Sequence, residues 1–168
     1  MPTTDPKPET AYRSPSRLPA DARATIAGAL GARLADGLDL HSQIKVAHWN
    51  VKGPHFAALH PLYETFATSL AAFNDQIAER AVTLGARVSG TARHVAKAST
   101  LAEYPPAAVR DLETVQVLAD RVETYLDGLR GARDVADRHE DQDTVDLLTA
   151  VIEEFEKNGW FLRATLER

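Results

Sequence analysis

The chain has 168 residues, of which 44% are hydrophobic and 26% charged, with a net charge of −5 at pH 7 and no cysteine. That length suits one domain with a real core. The composition excludes disulfides and thiolate metal sites, so any metal has to be held by His, Asp or Glu, and the acidic balance gives the body no general attraction for nucleic acid or anionic membranes.

Residues 1–19 carry five of the nine prolines, and their Ser, Thr and charged residues cannot bury an apolar face. A mobile tail is expected there, with the folded domain over 20–168. No secretory signal and no apolar membrane-crossing run is visible, so the expected location is cytoplasmic. From Pro19 on, Ile26, Leu30, Leu34, Leu38 and Ile44 follow a helical period. A first helix is expected from near Asp21 to just before the Gly53-Pro54 breaker. Leu59, Leu62, Tyr63, Phe66, Leu70, Phe73 and Ile77 then share one face of a second helix, with Pro61 in its first turn and Gly85 at its end.

Residues 86–105 are too long for a turn and too apolar for a linker, and predict a crossing connection with a short helix of its own. Val109, Leu112, Val115, Leu118, Val122, Leu126 and Leu129 give a third helix face. The acidic stretch DRHEDQDT interrupts the pattern, Asp143 is expected to cap a fourth helix, and Val145, Leu148, Ile152, Phe155 and Leu162 face inward on it. Four long helices with a long middle connection describe an all-α, ferritin-like four-helix bundle with a short extra helix between the second and third.

Bundles of this kind often hold two irons on Glu-x-x-His pairs, but no Glu here has a His three residues later. What the spacing offers is His60 and Glu64 at i,i+4 on the second helix, Asp75 and Glu79 at i,i+4 further along, and His48 at the end of the first. Eleven residues separate Glu64 from Asp75, close to three whole turns, so the two pairs share one side of the helix. They lie roughly 16 Å apart along the axis, whereas metal–ligand bonds are about 2 Å. One chain therefore does not close both pairs round one ion. Two antiparallel copies across a two-fold axis would do so, and would carry two identical sites. Alone, each pair reads as ordinary solvated helix surface.

The stretches KVAHWNVKGPHFAALH and DQIAERAVTLG, with EYP at 103–105, DTVDLLTA at 143–150 and WFLRATLE at 160–167, resemble the Dps proteins, the small-shell branch of the ferritin superfamily. The resemblance runs from about Asp21 to Glu167. It implies a hollow dodecamer that oxidises Fe(II), in many members with peroxide, and stores the ferric product. It also implies an iron site made of His48, His60 and Glu64 from one subunit with Asp75 and Glu79 from its neighbour. Lys45 and Trp49 would lie beside that site. Glu64 departs from the pattern, where Asp is commoner. His55 is outside the implied ligand set and reads as a loop or interface residue; His41, His94 and His139 read as structural or solvated.

The acidic residues Asp137, Glu140, Asp141, Asp143 and Asp146 fall where the family lines a three-fold pore, which makes Asp137, Asp141 and Asp146 the expected path for iron. Acids at a helix N-terminus also have a purely structural use, but Asp137 closes a helix, where an acid opposes the dipole. For DNA, the tail offers Lys7, Arg13 and Arg17 against Asp5 and Glu9, a net of about +1. Twelve tails add avidity, yet contact through them is expected to be weak and salt-sensitive. The alternative function is a nucleoid-associated structural protein with secondary metal binding, and a further one a shell holding Zn or Mn without turnover.

Overall fold

The computed structural model describes residues 12–167; Asp5, Lys7 and Glu9 of the expected tail lie outside them. Its helices are α1 (Ala20–Asn50), α2 (Phe56–Thr83), α3 (Ala92–Ala98), α4 (Asp111–Arg138) and α5 (Gln142–Leu166). Helices α1 and α2 pack as one antiparallel hairpin, α4 and α5 as another, and α1 lies against α4. Residues 84–110 carry the chain from the end of α2 to the start of α4 and hold α3 against α1. This is the four-helix bundle with an extra short helix that the periodicity predicts. Among the described residues no helix is long and apolar enough to cross a membrane.

The core is built from the expected faces. Leu30 and Ile44, Tyr63 and Phe66, Leu118 and Leu129, and Leu148 and Phe155 are all fully buried, each stabilising the fold by roughly 1.5–3 kcal/mol relative to an exposed side chain. Leu112 departs from the expected inward face: it is 41% exposed, on the outer side of a first turn whose Asp111 and Thr114 are the buried residues.

Three local expectations are corrected. Pro61 is not in the first turn of α2 but inside it, since the turn after Gly53 winds straight into a helix from Phe56. The carbonyl of Ala57 thereby loses its helical donor, and Ala57 is exposed, so water can replace it. The cap of α5 is Asp141, not Asp143: its carboxylate accepts from Thr144 N–H at 3.4 Å and from Thr144 Oγ1 at 2.5 Å. Glu140 precedes it at φ 58°, which lets Asp141 N–H reach back to the Ala136 carbonyl at 3.0 Å and close the end of α4. Finally, the segment before α1 is not wholly free. Tyr12 N–H donates to the Gly85 carbonyl at 3.0 Å and Ser14 Oγ to the Thr83 carbonyl at 2.7 Å, so its described part lies along the end of α2.

Two contacts hold the long connection, one just after α3 and one at the start of α4. Asp36, fully buried, pairs with Arg33 at 2.9 Å and accepts from Thr100 N–H at 2.7 Å. At the far end His55 donates both its N–H (3.0 Å) and its Nδ1–H (2.7 Å) to Asp111, while Lys52 and Arg110 form a parallel bridge. Gly53 sits beneath this clamp at φ +140°, with the Asp111 carboxylate 2.6 Å from where a Cβ would be. Gly53→Ala should therefore destabilise the fold by about 3 kcal/mol, read as a lower urea midpoint at unchanged slope; a midpoint equal to that of the parent chain would show that the clamp tolerates a side chain.

Candidate metal centre

The end of α1 leaves its last carbonyls without helical donors. One of them, on His48, accepts from His60 Nδ1 at 2.9 Å, and the His60 carbonyl accepts from His48 Nδ1 at 2.8 Å. The two rings stack with centroids 3.8 Å apart and planes 21° from parallel. A carbonyl can only accept, so both Nδ1 atoms carry hydrogen. In each neutral ring Nε2 is then the lone-pair nitrogen, the arrangement in which a backbone carbonyl orients a metal-ligating imidazole.

Glu64, one turn beyond His60, places Oε2 3.3 Å from His48 Nε2 and 2.5 Å from Lys45 Nζ. A lone pair facing a carboxylate at that distance calls for a proton or a cation between them. Lys45 supplies part of the positive charge: its hydrogen bond, before any other influence, holds the Glu64 carboxyl below the usual carboxylate range. Lys45 also lies over the ring of Trp49 at 5.9 Å. Trp49 itself is 68% exposed and Phe56, tilted against His60, 46% exposed, an unusual amount of aromatic surface beside one polar cluster.

The structure brings His48, His60, Glu64, Lys45 and Trp49 together. Asp75 and Glu79 stand apart from them, both exposed on the outer side of α2. Among the described residues no group of three or more His, Asp or Glu side chains of the single chain is arranged to hold an ion, so the imidazole–carboxylate cluster is an incomplete ligand set. His41, left aside on sequence grounds, lines a groove with Asp75 and Asn74, and burial, then Lys45, lowers its pKa. Of the expected pore acids, Asp137 and Asp146 are exposed. Asp141 is not: it is 4% exposed and is spent on the α5 cap and on Arg80 at 2.6 Å. Its burial corrects the expectation that it lines a channel. Sequence reasoning missed the His55–Asp111 pair altogether; its signal would have been an acid at the first position of a helix opposite a Gly-Pro-His turn.

A ferritin-like domain model matches residues 27–168. The chain is 35% identical to the DNA protection during starvation protein of Agrobacterium fabrum, over 93% of its own length and 96% of that protein's.

The chain belongs to the Dps family of ferritin-like proteins.

The structure of this Dps-family chain agrees. It matches DpsA14 from Streptomyces coelicolor at a TM-score of 0.90 and 29% identity, covering 98% of this chain and 96% of that one. It matches the Dps protein of Vibrio cholerae O1 at 0.86 and 28%, covering 94% and 98%; that protein is described as a member of a broad superfamily of ferritin-like diiron-carboxylate proteins. An iron-related protective function follows from membership of this family. Within this Dps-family chain the Lys45–Glu64 contact is directly testable: Lys45→Met should return the Glu64 titration upward toward the ordinary carboxylate range, followed by carboxyl-carbon NMR. An unchanged midpoint would mean that Lys45 does not control that carboxylate.

Proposed function

We propose that this protein oxidises Fe(II), with peroxide as the oxidant, at sites shared between two subunits, and stores the ferric product inside a homo-oligomeric shell, a dodecamer as the resemblance implies. Iron is the substrate and cargo. The observation that carries the reading is the reciprocal His48–His60 clamp, which leaves two imidazole Nε2 atoms beside the Glu64 carboxylate in a set that one chain does not complete. Mixed imidazole and carboxylate donors suit Fe(II), and carboxylates stabilise the ferric charge.

The missing donors are Asp75 and Glu79 of a neighbouring subunit. Between Glu64 and Asp75 the exposed side of α2 carries Thr65, Thr68, Ala71 and Ala72, small residues that let a second α2 approach closely. The exposed Trp49 and Phe56 would be covered in the same contact. His48, His60 and Glu64 bind the metal from one side and Asp75 and Glu79 from the other, while Lys45 restrains Glu64. Each peroxide accepts two electrons, one from each of two Fe(II). Removing both reactants together limits hydroxyl-radical damage to DNA, which fits the name carried by the Agrobacterium relative. A nucleoid-binding role with secondary metal binding remains the alternative, and the first test below separates the two.

Two variants, His48→Ala/His60→Ala and Asp75→Ala/Glu79→Ala, should each assemble and oxidise iron poorly. Dissociated, mixed equally and reassembled, they form mixed dimers in which one site receives both damaged halves and the other both intact halves. About a quarter of sites should then recover, read as peroxide-driven oxidation of two Fe(II) per peroxide. A site built within one chain could not recover, so absence of recovery in assemblies proven mixed by mass would falsify the shared site.

Asp137 and Asp146 remain the acids proposed to draw iron in, since three copies around an axis make a negative funnel. Asp137→Asn/Asp146→Asn should slow iron uptake at low iron and leave assembly intact; unchanged uptake kinetics would remove the pore assignment.

A further inference from the structure

Beside the start of α1 lies an open groove of about 900 Å³. Ala24, Gly28 and Gly31 of α1 form its floor, and Leu84 and Val88, from the connection that follows α2, form the facing wall. A Cβ on Gly28 or Gly31 would meet nothing within 4 Å, so the floor is open space and not a packed contact. Sites for molecules of cofactor or metabolite size span roughly 300–1,000 Å³ and are mostly apolar, with a few placed polar groups. This groove has that size and that kind of lining.

The polar part of the lining is one-sided. Arg23, Arg87, Ser89 and His94 contribute to it, and no Asp or Glu does. Among the described residues neither Arg23 nor Arg87 forms a salt bridge, whereas Arg33, Arg80, Arg130 and Arg163 all do. Arg23 Nη1 donates to the Leu18 carbonyl at 2.7 Å while its Nε is buried without an acceptor, so this guanidinium is short of partners. Arg87 lies over the Tyr12 ring at 5.8 Å, and Tyr12 N–H donates to the Gly85 carbonyl at 3.0 Å. That contact braces the second cation at the edge of the groove.

These features select the chemistry of an occupant. A bare inorganic anion would satisfy the guanidinium groups and leave the Ala-Gly floor in water. An uncharged apolar molecule would cover the floor and leave the guanidinium groups without an acceptor, which a partly buried cation tolerates poorly. A molecule with both parts gains from both, because planar guanidinium groups pair with oxyanions through two parallel hydrogen bonds. We propose that this groove is a binding site for a small organic anion. Its apolar body rests on the floor formed by Gly28 and Gly31, and its carboxylate, sulfonate or phosphate group turns toward Arg23 and Arg87. The site is independent of the iron-oxidation reading above, since none of its residues belongs to the His48–His60 cluster or to the acids proposed to complete it.

The test uses the full chain in its native assembly and two fluorescent probes with one ring body, anilinonaphthalene sulfonate and the uncharged N-phenylnaphthylamine. The sulfonate should bind roughly tenfold or more tightly than the neutral probe. Gly28→Leu/Gly31→Leu fills the floor and should weaken the sulfonate roughly tenfold or more, while raising helix propensity in α1. Gly131→Leu, at an equally open glycine of α4, should stay within about twofold of the parent. Arg87→Gln should weaken the sulfonate roughly tenfold and leave the neutral probe within about twofold. Equal affinity for the two probes overturns the proposal. So does equal weakening by the two leucine variants, or no effect of Arg87→Gln, either of which makes the sulfonate an adventitious probe of exposed apolar surface only. A Gly28→Leu/Gly31→Leu chain that sediments as a smaller assembly than the parent also overturns it, because the floor would then be a contact between copies.

Discussion

The exchange of two hydrogen bonds between His48 and His60 is the contact on which the candidate chemistry depends. A helix ending at Asn50 must leave carbonyls without donors, that of His48 among them. Each imidazole supplies a hydrogen to the other residue's carbonyl. The α1–α2 hairpin is thereby locked at its tip, and both rings are held in one tautomer and one orientation. The same two bonds serve stability and hold the imidazoles of the proposed site.

Around that tip the polar groups divide by task. Asp111, its carboxyl held low chiefly by the His55 N–H, anchors α4 to the α1–α2 turn. Asp36, paired with Arg33, accepts from Thr100 N–H and so anchors the long connection to α1 just after α3. Asp141 with Arg80 ties α5 to α2. These three carboxylates are buried and each is satisfied by cations or N–H donors, as burial of a charge requires. Asp75, Glu79, Asp137 and Asp146, by contrast, are exposed and make no salt bridge among the described residues. Burial thus marks the acids that hold the fold together.

Cations are sorted in the same way. Arg80, Arg130, Lys157 and Arg163 are paired with acids, whereas the cations around the start of α1 and on α3 make no salt bridge among the described residues.

The sequence by itself determined the helices, their inward faces, the absence of an ordinary intra-bundle ligand motif and the placing of His60, Glu64, Asp75 and Glu79 along one side of α2. All of these are periodic, local properties of a single helix, and 3.6 residues per turn fixes them whatever the surroundings. Tertiary structure decided the rest. Whether Asp141 or Asp143 caps α5 depended on Arg80, sixty-one residues away; whether His55 was a loop residue or a clamp depended on Asp111, fifty-six away. The tautomer of His48 depended on the carbonyl of His60, and the groove lined by Arg23 and Arg87 on two segments that the sequence keeps far apart. A hydrogen bond or a field is set by distance in space, and a one-dimensional pattern contains that distance only where a single helix supplies it.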